Sequence, residues 1–211
     1  MGKRFIVRKA EFILREDKYD CIVMNEVLEL DCYRFMDRIN IEGLNVLDIG
    51  ANIGIFSVMA ALKGCNVTSY EPEPHNFEML NKNIEHNSVK VKAYQLAVGK
   101  PGKYCIEDNG GCSRLGSSGS PVECVSINTI INEPVYFLKM DCEGSEYPIF
   151  EDATDETLTK INEFAIEFHP DLVDDYTHNK VISRLEEFFD LEITGEIKNK
   201  AGGIIFGKGK L

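Results

Sequence analysis

The sequence predicts an α/β domain whose mostly parallel sheet carries one reversed strand at or near its edge. Three observations predict it. From Asn45 to Gln95, apolar runs of strand length alternate with helical runs, the order produced by parallel strands and right-handed crossovers. A Gly50-x-x-x-Gly54 pattern stands where the first of these runs hands over to a helix. Near the end, Leu191–Thr194 and Gly203–Phe206 lie too close for a crossover helix. They must therefore pair as an antiparallel hairpin.

The chain has 211 residues and 44% apolar content, enough for one sizeable core. Its net charge of −12 argues against a broad nucleic-acid footprint, because phosphate binding calls for a positive surface. The seven cysteines form no CxxC pair, so no zinc knot is expected. No apolar run approaches the roughly 20 residues that span a bilayer, and the basic start has no following signal-type apolar core. A cytoplasmic protein without membrane insertion is the expectation. Nothing in the sequence fixes an oligomeric state.

In chain order, Phe5-Ile6-Val7 and Glu11–Leu14 read as short strands. Glu26–Ile39 reads as a helix, with Val27, Leu28, Leu30, Phe35, Met36 and Ile39 apolar, broken by Gly43. Residues 1–42 are thus expected to form an N-terminal extension, either capping a cleft or packing on the sheet edge. The main domain is expected over 43–211. Within it, Asn45–Ile49, Asn66–Tyr70 and Val89–Gln95 are strands. Gly54–Leu62 and His75–Glu85 are the helices between them, the second with Phe77, Leu80 and Ile84 on one face. Gly99–Ser120, rich in Gly and Ser, reads as a surface loop. Val122–Val125 is a short strand, Ser126–Ile131 a helical turn, Val135–Met140 and Phe164–Phe168 core strands, and Tyr147–Ile161 partly helical. Asn179–Phe189 forms the last helix before the hairpin.

The glycine loop permits a tight turn and a close backbone approach, at the strand ends where this fold class binds ligands. It is not G-x-G-x-x-G, because position 52 is Asn, which weakens a dinucleotide reading. Glu71 ends the second strand about 20 residues later, where an acid accepts bonds from ribose hydroxyls. Pro72 stiffens the turn that follows. Asp48, in the strand end, is costly to bury unpaired. It either anchors the loop or offsets a cation, which favours a cationic cofactor such as S-adenosylmethionine over a pyrophosphate. A second constellation, Lys139 to Glu146, gathers three carboxylates and one lysine after a core strand. Asp141 and Glu143 are candidate proton acceptors or ligand contacts; Ser145 or Asp141 as a helix cap, with Glu146 in the first turn, is the alternative. His169, two residues past Glu167, is a candidate base or a structural histidine. Asp141, Glu143 and His169 together could hold a metal, but no spacing demands one, and none is assigned.

Four ordered blocks carry a resemblance. They are Val46-Leu47-Asp48-Ile49-Gly50-Ala51-Asn52-Ile53-Gly54, Tyr70-Glu71-Pro72-Glu73-Pro74-His75-Asn76, Phe137 to Glu146, and Ile166-Glu167-Phe168-His169-Pro170. Over residues 43–211 the chain resembles the FkbM family of S-adenosylmethionine-dependent methyltransferases. The resemblance implies a three-layer, Rossmann-like class I methyltransferase sheet of seven strands with a reversed last strand. It implies a cofactor site in which Asp48, Gly50, Ala51, Asn52 and Gly54 surround the methionine and ribose. Glu71, with Pro72 after it, holds the ribose, Ala97 lies near the adenine, and Asp141 borders the methionine end and the acceptor. O-methylation of a small-molecule or sugar hydroxyl follows, with Asp141 or His169 as base and Glu143 positioning the acceptor. The alternatives are an N-methyltransferase, although Asp141-Cys142-Glu143-Gly144 replaces its usual Asn/Asp-Pro-Pro-Tyr-type segment, and a non-catalytic adenosine-binding module. An NAD-dependent oxidoreductase shares the ribose acid but not this glycine pattern or the terminal hairpin.

Overall fold

The computed structural model describes residues 3–7, 10–16, 18–107, 114–116, 118–195 and 203–210. A seven-stranded sheet organises them. Its parallel members are β3 (Asn45–Ile49), β4 (Asn66–Tyr70), β5 (Val91–Tyr94), β10 (Val135–Met140) and β11 (Ile161–Phe168). The terminal hairpin adds β12 (Phe189–Thr194) and β13 (Gly203–Gly209). The order is β12-β13-β11-β10-β3-β4-β5. β13 runs antiparallel to β11, so the reversed strand lies one in from the edge. The hairpin turn expected around Lys198–Gly202 falls outside the described residues.

Helices α2 (Ile55–Leu62) and α3 (Pro74–His86) make the crossovers between β3, β4 and β5. α4 (Ile127–Ile130) precedes β10, while α5 (Glu146–Asp152) and α6 (Asp155–Thr159) lie between β10 and β11, and α7 (Asp175–Phe188) precedes β12. Alternation along the strands splits the core. Leu138, Met140, Phe164, Ile166 and Phe168 face one cluster with Tyr147, Phe150 and Leu185. Val46, Phe137 and Ala165 face the other, with Phe56, Val58 and Met59 of α2.

The N-terminal section belongs to that second cluster. β1 (Lys3–Val7) and β2 (Ala10–Leu14) form a hairpin, and Phe12, Leu14, Leu28, Tyr33, Phe35 and Ile41 are all buried in the cluster. Asn83 on α3 ties the hairpin down. Its amide accepts from Ile13 N at 2.8 Å and donates to Ile53 O at 2.9 Å. The inner face of α3 is therefore Asn76, Met79, Leu80 and Asn83, with Leu80 alone shared with the expected set and Phe77 and Ile84 only half-buried.

Two expected elements are corrected. The first helix, α1, spans Lys18–Leu28, not Glu26–Ile39. Asp31 and Arg34 adopt left-handed φ of 44° and 52°, and the Asp31 carboxylate accepts from Phe35 N and Met36 N. Local bonding of that kind competes with helix. Leu30 and Ile39 are consequently exposed. The Gly/Ser segment is also more ordered than a loop. β6 (Ala97–Val98), β7 (Gly102–Glu107), β8 (Arg114–Gly116) and β9 (Ser120–Val125) form a second sheet in the order β6-β9-β7-β8. Lys103, Cys105, Pro121 and Glu123 on one face alternate with buried Ile106, Val122 and Cys124; the glycines had masked this period. Gly110-Gly111 lies outside the described residues.

Candidate active site

The sheet order reverses between β3 and β10, each followed by one of the two sequence constellations. Their loops meet there. Gly50 follows β3 with φ 76°, and a Cβ on it would stand 1.7 Å from the carbonyl oxygen of Asp141. No other residue fits this contact. The N–H groups of Gly50 and Ala51 both donate to Tyr70 O, at 2.9 and 3.1 Å, binding the loop to the end of β4.

Glu71 is 4% exposed. Its carboxylate accepts from Asn52 N at 2.7 Å and Glu73 N at 2.9 Å, so one acid ties the glycine loop to the turn after β4. Burial pushes its carboxyl up to about 7, although both backbone N–H bonds oppose the rise. Oε1 also accepts from Asn76 Nδ2 at 3.5 Å, while Oε2, with Asn52 N as its one protein donor among the described residues, retains lone-pair capacity. The cleft is lined by Gly50, Asn52, Glu71, Pro72, Ala97, Asp141 and Glu143 among the expected residues. Leu96 and Ile106 add an apolar wall. Ile106 comes from the second sheet, and its strand was hidden in the segment read as a loop.

Three expected cofactor residues stand elsewhere, and His169 touches the cleft only through Glu143. Asp48 is wholly buried behind the loop, its carboxylate 3.2 Å from Lys139 Nζ and bonded to Ser57 Oγ. Lys139 also donates to Gly50 O at 2.5 Å. Burial would lower the lysine's affinity for its proton, but the Asp48 and Asp141 carboxylates outweigh that and hold it above the usual range. The acid thus anchors the glycine loop through a buried ion pair. Ala51 is buried in the loop. A Cβ on Gly54 would meet Leu80 Cδ1 at 2.4 Å, so that glycine serves the packing of α2 on α3.

The second constellation turns sharply after β10. Glu143 has φ 53° and Gly144 φ 101°, so Asp141 and Glu143 are brought together by a turn, not by strand alternation. Glu146 organises the turn. Its wholly buried carboxylate accepts from Cys142 N and Gly144 N, both at 2.8 Å, and lies 3.2 Å from His169 Nδ1. The other ring nitrogen, Nε2, lies 3.5 Å from Glu143. Burial would lower the imidazole, but the Glu146 hydrogen bond and the Glu146, Asp141 and Glu143 carboxylates raise it to about 9. A histidine that keeps its proton at neutral pH is poorly placed to be the base. Donor atoms of Asp141, Glu143 and His169 fall within 4.8 Å of one another, a spacing a cation can use.

The N-terminal section reaches the same place. Tyr33 Oη donates to Asp141 Oδ2 at 3.3 Å. Burial, then the Asp141 carboxylate, raises the phenol well above its usual range, so it remains a donor. Half-buried Glu167 is pushed up to about 8 by its burial and by the Asp141 carboxylate, and Glu26 of α1 is raised by burial and by Asp141. Nothing in the sequence marks Tyr33 or Glu26, because the helix expected there was out of place.

Residues 48–189 match the Methyltransferase FkbM domain. The chain belongs to the FkbM methyltransferase family. The seven-stranded sheet is shared with solved class I, Rossmann-like methyltransferases. The FkbM methyltransferase of Methylobacillus flagellatus superposes with a TM-score of 0.55 at 18% identity, over 78% of this chain and 43% of that one. The 16S rRNA methyltransferase RsmC of T. thermophilus, solved with AdoMet and guanosine, gives 0.55 at 14% identity, over 100% and 50%. Among curated proteins, the ribosomal protein L11 methyltransferase of Helicobacter hepaticus is 27% identical over 118 residues, 49% of this chain and 37% of that protein. The chain therefore spans half or less of the length of these relatives. No helix among the described residues is long and apolar enough to cross a membrane.

Proposed function

We propose that this FkbM-family chain is an S-adenosylmethionine-dependent methyltransferase acting on a hydroxyl of a small-molecule or sugar acceptor. The observation that carries the cofactor assignment is the joint between the two loops. Gly50 must lack a side chain to lie against Asp141, and buried Glu71 is held on the same cleft by Asn52 N. A ribose suits that acid, and the Leu96, Ala97 and Ile106 wall suits an adenine. When bound, S-adenosylmethionine supplies an activated methyl on a good leaving group.

The chain's own residues then have four tasks. Glu71 binds and orients the ribose. The Gly50 loop, fixed by Lys139 and Asp48, excludes water from the methionine side. Asp141 would take the hydroxyl proton that the acceptor gives up on methylation. Glu143 positions the acceptor. Tyr33 donates to Asp141 and holds its carboxylate in place.

The relatives include methyltransferases named for a ribosomal protein and for rRNA, so a macromolecular acceptor is the competing outcome. Calorimetric titration with S-adenosylmethionine, S-adenosylhomocysteine and NAD tests the cofactor. Binding of NAD in preference to the first two overturns the reading. A labelled-methyl screen over sugars, small hydroxylated compounds, ribosomal protein and RNA tests the acceptor, and label entering only protein or RNA removes the small-molecule assignment. Cofactor binding with no transfer to any class leaves a non-catalytic binding module.

A further inference from the structure

Glu146, wholly buried, organises the turn after β10 but has no part in binding the cofactor or moving the acceptor's proton. A carboxylate accepts hydrogen bonds and cannot donate them while ionised. His169 presents one ring nitrogen to Glu146 and the other to Glu143. An imidazole between two acceptors satisfies both only with a proton on each nitrogen. Asp141 adds a third carboxylate, and Glu167 stands two residues back, near the end of β11. Glu146 is itself fixed by the N–H groups of Cys142 and Gly144, so it cannot swing away from the ring.

We propose that Glu146 is a positioning residue that holds His169 as a fixed cation at the acceptor end of the cleft, where the ring steadies Glu143 and the Asp141–Gly144 turn. His169 is then a hydrogen-bond donor, not a proton acceptor. This rests on the active-site reading for its purpose but not for its geometry. The burial of Glu146 shows that the arrangement is built in. A carboxylate with 0% side-chain exposure is costly unless its partners are all in place, and here two backbone donors and one ring donor supply them. Simple capping of α5 explains the two backbone bonds but not the third.

The test is nitrogen-15 NMR of the ring nitrogens in the full chain labelled at histidine, with His169→Gln used to assign its signals. The expected result is a ring protonated at both nitrogens at pH 7.5 and losing a proton near pH 9. Glu146→Gln should lower that midpoint by a unit or more, a tenfold loss of proton affinity. A wild-type His169 that is neutral at pH 7 overturns the proposal, even if the Gln variant fails to fold. So does a folded Glu146→Gln protein whose His169 titrates unchanged, which would leave Glu146 as a helix cap only. Titration of wild type with S-adenosylhomocysteine separates the two readings: no binding there removes the cofactor site while the ring spectrum still decides the role of Glu146.

Discussion

A Cβ on Gly50 would sit inside the van der Waals shell of the Asp141 carbonyl, at a φ that L-residues adopt only with strain. Gly50→Ala is therefore expected to push β3 and β10 apart at the cleft. The measurable outcome is a lower Tm, from a loss of about 2 kcal/mol or more, with cofactor affinity abolished; wild-type affinity in the variant would remove the loop from the site. Glu71 makes a pH-dependent prediction. Its folded-state carboxyl lies near 7, above the ordinary 4.5. Its contribution to stability is thus complete below about 4.5 and is lost as pH rises through about 7. Cofactor affinity should run the other way. Ribose hydroxyls donate to the ionised form, so affinity should fall as pH drops below about 7, by up to tenfold per unit. Glu71→Gln should bind weakly with that dependence flattened, and calorimetry at pH 6 and 8 checks both. Tyr33→Phe removes only a hydroxyl and keeps the ring against Phe56. Its Tm should hardly move, while turnover falls about tenfold with cofactor affinity within threefold, the scale of one lost hydrogen bond to a charged group. Unchanged turnover would show that Asp141 needs no donor from the N-terminal section.

At the scale of elements, the two constellations were legible because each combines a strand-length apolar run with residues that have few structural substitutes. Val135–Met140 before Asp141, and Asn45–Ile49 before Gly50, leave little choice of fold. The terminal hairpin was legible from spacing alone. The stretch from Leu28 to Gly43 was not. Its apolar residues suggest a helix, but Asp31 and Arg34 turn the chain, and Tyr33, Phe35 and Met36 are buried from irregular backbone. Hydrophobic periodicity cannot report a segment that has no period. The same stretch yields a prediction about domain organisation. Residues 10–42 bury Phe12, Leu14, Val27, Leu28, Tyr33, Phe35, Met36 and Ile41 on the α2 face. A chain beginning at residue 43 would expose that face, at about 1.5–3 kcal/mol per large side chain, which exceeds the margin of a typical domain. It should lose cooperative unfolding and bind apolar dye. A cooperative, soluble truncated protein would make the N-terminal section a separable cap.

For the molecule as a whole, the cleft joins two halves of one sheet. Gly50 and Glu71 belong to the β3–β4 side, and Asp141, Glu143 and Glu146 to the β10–α5 side. Between them lie the buried Lys139–Asp48 pair and the Asp141 N to Ile49 O bond at 3.0 Å. A ligand held by both sides should therefore stabilise the fold globally and not one loop. At a hundred times its dissociation constant, a ligand of the native state adds about 2.7 kcal/mol. For a chain of this size that is a rise in Tm of about 5 to 10 °C. S-adenosylhomocysteine should give this shift in the wild type and lose most of it in Gly50→Ala and Glu71→Gln, while NAD should give none. The net charge of −12 sharpens the control. A generic polyanion such as heparin should be repelled and leave Tm unchanged, so a shift with heparin equal to that with S-adenosylhomocysteine would mean that the stabilising contact lies on a local basic patch and not in the cleft.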